Sequence, residues 1–315
     1  MFGLAARLLA GAVLLLIGGC GGTLQTRAVL DAPPPQLAPR TELGDTRFFP
    51  QEDYQCGPAA LAMALGSAGV ASDPEVLKPE VYLPQRQGSL QVEMLAVARR
   101  HGVVAYQLAP ELADLLAEVA DGTPVIVLQN LGLSWYQVWH YAVVIGYDLE
   151  RREVILRSGR EQRQVLPMTT FERTWARSGY WAMLAVPPGK LPRTADELRF
   201  VAAVNALEKS GRPEQARSAY LAAVQRWPHS LAARLGAGNT AYRMKDLTNA
   251  EADFRGAVEA HPDSVAALNN LAQTLSDLGR NQEALGYAQR AVDLGGPLKE
   301  IAQATLEQIS QKLKK

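Results

Sequence analysis

Two side chains far apart in this chain carry the makings of an activated nucleophile. Cys56 stands in Gln51-Glu52-Asp53-Tyr54-Gln55-Cys56-Gly57-Pro58-Ala59-Ala60, directly before a small, apolar run. That pattern places it at or next to a helix N-terminus, and Pro58 suits the first turn, where a missing N–H costs nothing. The positive end of the helix is expected to favour thiolate over thiol. His140 opens Trp139-His140-Tyr141-Ala142-Val143-Val144-Ile145-Gly146-Tyr147, which reads as an apolar strand. A thiol on a helix start and an imidazole on a remote strand are the nucleophile and base of acyl transfer. The other three histidines fit structural roles: His101 ends a helix, and His229 and His261 fall in turns.

The elements that must position this pair follow from periodicity. Helices are expected over Gln55–Val70, Ser89–Arg100 (Ser89 as cap, His101-Gly102 as stop) and Glu111–Ala120. The period then changes, with strands at 124–128, 141–147, 153–157 and 180–186. Helices first and an antiparallel sheet second make an α+β domain over residues 47–187. Trp135, Tyr136, Trp139, Trp175, Tyr180 and Trp181 cluster around the histidine strand, as cleft walls or as core.

Residues 188–196, rich in proline, read as a linker. From 197 to 315 the chain is alanine-rich and self-similar with a period of 34 residues. Ala216, Ala250 and Ala284 are equivalent, as are Ala223, Ala257 and Ala291, and Tyr220, Phe254 and Ala288. This resembles the tetratricopeptide repeat, and it implies an all-α solenoid closed by a final helix, with a groove for a protein partner.

At the other end, Arg7 precedes an apolar stretch over 8–17 that is too short for a comfortable span. It runs into Ile17-Gly18-Gly19-Cys20, which resembles the lipobox of bacterial lipoproteins. The resemblance implies a signal peptide over 1–20, a lipid on Cys20 that holds the protein to a membrane, and, with glycines following, an outer-membrane location facing the periplasm. Residues 21–46, with Pro33-Pro34-Pro35, read as an extended, solvated tether. The chain has two cysteines, so lipidation of Cys20 leaves Cys56 as a lone thiol with no disulfide partner.

Lys+Arg and Asp+Glu both number 32, which argues against a broad electrostatic footprint for nucleic acid. One mature thiol and scattered histidines build no zinc site, no phosphate loop is present, and no cofactor is expected.

With Cys56-Gly57-Pro58-Ala59-Ala60, Gln51 and His140-Tyr141-Ala142-Val143-Val144-Ile145-Gly146-Tyr147-Asp148 in order, residues 48–186 resemble the papain-like C39-like cysteine peptidases. The resemblance implies a papain-like fold and cleavage of a peptide or protein amide bond through a Cys56 thioester, with His140 as base. It also implies a glutamine amide in the oxyanion hole: Gln51, with Gln55 as the alternative. Relatives carry an aspartate or asparagine on the strand after the histidine. Here that position falls at Ser158, and Glu161 and Asn130 are the other candidates to orient His140; Asp148 reads as a turn residue. The departure leaves two further readings open: a peptide-binding adaptor with little activity, and an amide-forming transpeptidase of the phytochelatin-synthase kind.

Overall fold

The computed structural model describes residues 23–51, 55–133 and 135–314. The expected signal peptide and Cys20 lie outside the described residues. The first part of the chain holds helices α1 (Leu24–Asp31), α2 (Cys56–Ser67), α3 (Pro74–Val81), α4 (Gln91–Arg100), α5 (Leu112–Ala120) and α6 (Met168–Ala176). Its strands are β1 (Arg40–Glu42), β2 (Val104–Gln107), β3 (Val125–Asn130), β4 (Trp139–Asp148), β5 (Glu153–Ser158), β6 (Glu161–Pro167) and β7 (Ala182–Val186). They form one sheet in the order β2-β7-β3-β4-β5-β6, every pairing antiparallel, with β1 added to the far end of β4.

The sheet is buried on both faces, so β3, β4 and β7 read as nearly unbroken apolar runs rather than alternating ones. Helix α2, buried from Gly57 to Leu65, packs on one face beside Val143 and Ile145. Helices α5 and α6 cover the other, beside Val144 and Leu156. A bulge between Val144 and Gly146 bends β4 where β1 joins it. A Cβ at Gly146 would sit 2.6 Å from Thr41 O, so only glycine admits β1 at this distance.

Residues 23–46 are not a free tether. Helix α1 buries Thr26 and Val29, and β1 extends the sheet. The buried Glu172 carboxylate of α6 accepts from Gln25 N at 3.1 Å and Thr26 N at 2.7 Å. Two of the N–H groups that a helix start leaves unpaired are thereby satisfied, with the charge sign that the helix dipole favours. Proline content had pointed to solvation; the tertiary capping that outweighs it has no local signature. Glu172→Ala orphans both donors and is expected to cost about 2 kcal/mol, read as a lower urea midpoint at unchanged m-value.

The linker is braced as well. The buried Glu118 carboxylate accepts from Arg193 N, Thr194 N and Thr194 Oγ1, and Tyr106 Oη accepts from Asp196 N. Beyond it come α7 (Glu197–Lys209), α8 (Pro213–Arg226), α9 (Leu231–Arg243), α10 (Leu247–Ala260), α11 (Val265–Asp277), α12 (Asn281–Leu294) and α13 (Lys299–Leu313). The six equivalent alanines are all fully buried, which permits close helix crossing, and Tyr220 and Phe254 fill the gaps. Phe200, Val204 and Leu207 of α7 share one core with Tyr106 and Val186 of the sheet. The solenoid is therefore docked on the α+β domain through apolar packing.

Candidate active site

Helix α2 begins at Cys56 itself. The first N–H groups of a helix have no partner within it, and those of Cys56 and Gly57 face the sulfur, together with the N–H of Tyr141 on β4. Gly57 is required here: a Cβ would lie 2.2 Å from Ser89 Oγ. Because Tyr141 follows His140, the helix start and the histidine strand meet at one point. Cys56, His140 and Gln51 line a single cleft of about 1140 Å³.

His140 Nε2 lies 2.9 Å from Ser158 Oγ. With Nε2–H donating to that hydroxyl, Nδ1 is the unprotonated nitrogen, available to take a thiol proton. No hydrogen bond joins the Cys56 sulfur to the imidazole among the described residues; their link is the shared cleft and the Tyr141 backbone. Ser158 is thus the one of the three candidate orienting residues that meets the imidazole. Asn130 does not reach His140: its Oδ1 accepts from Gly132 N and Val138 N and braces the loop between β3 and β4. Glu161 is exposed, paired with Ser158 across the β5–β6 turn, and touches no imidazole. Asp148, expected in a turn, is the last residue of β4, and its Oδ1 accepts from Arg151 N across the turn that follows.

Gln51 is 5% exposed and held at both ends. Its N–H donates to Gly159 O at 3.0 Å, and its Oε1 accepts from Gly159 N at 3.2 Å. That donor fixes the amide orientation and leaves Nε2 as a buried donor with no partner among the described residues. An unpaired buried donor is costly, and Gln51 lines the same cleft as Cys56. Gln55 sits before α2 without capping it and does not line the cleft.

Burial works against the expected thiolate. Burial pushes the Cys56 thiol above its ordinary value, outweighing the three N–H groups that oppose the shift. Burial likewise pushes His140 down to about 4. Both shifts favour a neutral thiol–imidazole pair over a thiolate–imidazolium one. Alkylation of Cys56 by iodoacetamide is therefore expected to climb with pH through a midpoint above that of an ordinary thiol, roughly 8.5. A plateau already reached at pH 5 would contradict this. Ser158→Asp places a carboxylate beside Nε2. It is expected to raise the His140 pKa by one to three units, about the shift a close opposite charge produces, as followed by NMR titration of the ring protons.

One lining residue was not legible as such. Ser89, expected to cap a helix, lies outside it: α4 starts at Gln91 with Leu90 before it. Ser89 Oγ is buried without a partner on the cleft wall, and its carbonyl accepts from Tyr141 Oη. The aromatic cluster divides. Trp175 and Trp181 are core, whereas Tyr136 and Trp139 are exposed on the cleft rim.

Residues 44–183 match the Peptidase_C39 like family, and residues 201–265 and 237–298 match the tetratricopeptide repeat. No curated protein matches the chain. Among solved structures, a C39-like peptidase from Bacillus anthracis is 20% identical, covering 49% of this chain and 99% of its own, with a TM-score of 0.41. The first TPR of Spaghetti (RPAP3), bound to the HSP90 peptide SRMEEVD, is 23% identical and covers 38% and 94%, with a TM-score of 0.36. The first TPR domain of human RPAP3 is 23% identical and covers 38% and 92%, with a TM-score of 0.35.

Proposed function

From a chain that joins a C39-like peptidase domain to tetratricopeptide repeats, we propose a cysteine peptidase that cleaves a peptide or protein amide bond through a thioester on Cys56. In this reading a lipid on Cys20 holds it to the bacterial envelope, at the outer membrane facing the periplasm, and the solenoid recruits a protein partner or substrate.

The observation that supports it most is the convergence, in one cleft, of a thiol, an imidazole held at Nε2 by Ser158, and an amide whose Nε2 has no partner among the described residues. The chemistry follows. The Cys56 sulfur attacks the carbonyl carbon as its proton passes to His140. The resulting oxyanion takes hydrogen bonds from Gln51 Nε2 and the Cys56 N–H, donors already fixed in place. Collapse expels the amine, which takes the proton from His140, and leaves the thioester. Water, deprotonated by the same imidazole, then releases the acid and the thiol. Ser158 positions the ring without adding charge to stabilise the transient imidazolium.

The test is a comparison of peptides released from the envelope of cells carrying the native protein or Cys56→Ala. Specific cleavage products are expected to vanish in the variant; identical peptide sets would refute a peptidase role.

A further inference from the structure

The segment that joins β3 to β4 carries more apolar surface than the cleft uses. Leu131 is 50% exposed, Leu133 51% and Trp135 81%, and none of the three lines the cleft. The backbone of this segment is tied down. Leu131 N donates to Val138 O, Leu133 N donates to Tyr136 O, and Asn130 Oδ1 closes its base. The described residues on either side of position 134 thus present two leucines and an indole to solvent, beside the exposed Tyr136 ring. Isolated exposed leucines need no explanation, but four large, exposed apolar or aromatic side chains within six residues of chain point to an interaction surface.

Its position says what covers it. Helix α6 holds both this segment and the start of the described chain. Arg177, at the end of α6, donates from Nη1 to Asn130 O and Gly132 O. Glu172, on the same helix, caps α1 at Gln25 and Thr26. Five residues of helix rise about 7.5 Å, so the two attachments lie within roughly 20 Å of each other. Cys20 precedes Thr23 by three residues, a reach of at most about 11 Å. On the proposed reading of a lipid at Cys20, the acyl chain would enter a bilayer from the side of the molecule where helix α6 holds both the chain start and this segment. Indole and phenol rings beside leucines are the side chains that settle at the boundary between headgroups and acyl chains.

We infer that Leu131, Leu133 and Trp135 form a second, non-covalent membrane contact that seats in the interfacial layer of a phospholipid bilayer. Because Tyr136, Val138 and Trp139 of the same segment line the cleft, the active-site mouth then opens at the membrane surface. Substrates would be polypeptide segments that lie at, or emerge from, that surface.

The test uses residues 23–315, which contain every described element and all three apolar cores and carry no acyl chain. Failure of the lipid-anchor reading and failure of this one are then separate results. The probe is a vesicle of phosphatidylcholine and phosphatidylglycerol, with or without bromine on the acyl chains. Co-flotation with the vesicles is expected, with indole fluorescence quenched by the brominated lipid. In the Leu133→Ser, Trp135→Ser double variant the partition coefficient is expected to fall at least about tenfold, the factor for leaving one leucine-sized side chain in water. The Cys56 alkylation rate and urea midpoint should stay unchanged. Absence of vesicle binding, or equal binding by the variant, would overturn the inference. So would a dimer in sedimentation velocity that the variant converts to monomer, since the patch would then be covered by a second copy.

Discussion

Cys56→Ala is expected to lower kcat/KM for a peptide substrate by roughly 10⁴-fold or more, to the level that cleft binding alone supports. His140→Ala should fall about as far, and the double variant scarcely further, because nucleophile and base act as one unit. The measurement is a steady-state assay on a peptide found by comparing envelopes with and without the thiol. The acid side of the profile carries the second signature. The imidazole must be unprotonated to accept the thiol proton, and burial holds His140 down to about 4. Activity is therefore expected to rise as pH increases through about 4 and to be fully present at pH 6, where an ordinary histidine would still be mostly charged. Comparable turnover by Cys56→Ala would remove the sulfur from the chemistry.

Gln51→Glu isolates the oxyanion donor. The carboxylate keeps an acceptor for the Gly159 N–H, so the brace that positions residue 51 is retained, but it replaces Nε2 with an oxygen that repels the developing charge. A loss of about 10²–10³-fold in kcat is expected, with KM little changed, since the interaction is made only as the carbonyl oxygen gains charge. Gln51→Ala should lose a similar factor in kcat and also some stability, because Gly159 N is then left unpaired. A variant that raises KM and spares kcat would assign Gln51 to substrate binding instead.

What was legible in the sequence was local. Cys56-Gly57-Pro58 announces a helix start, and His140 heads the longest apolar strand; both readings need only neighbours in the chain. The repeats announce themselves by their period, because identical alanines must meet wherever two helices cross. Three features were not read from the sequence. Residues 23–46 pack because Glu172, more than a hundred residues later, caps α1. Helix α3 opens on a legible start, Asp73 as cap and Pro74 in the first turn, but Pro79 masks its continuation, and α6 has no side-chain cap. The thiol is pushed up because α2 is buried from its second residue onward, which the helix dipole alone does not foretell. The third position of the site follows from the family resemblance, which implies Ser158: its hydroxyl meets the imidazole, and Glu161 is left outside.

The most direct test is to bind a peptide aldehyde carrying ¹³C at the carbonyl and to follow that carbon by NMR. The aldehyde adds the Cys56 sulfur without any bond leaving, so attack is seen apart from turnover. The arrangement of sulfur, imidazole and amide predicts a hemithioacetal resonance with the native protein. It should be absent with Cys56→Ala, and the adduct should be markedly weaker with Gln51→Glu and with His140→Ala. An aldehyde that remains hydrated in the native protein while bound in the cleft, or an adduct equally strong in all the variants, would contradict it.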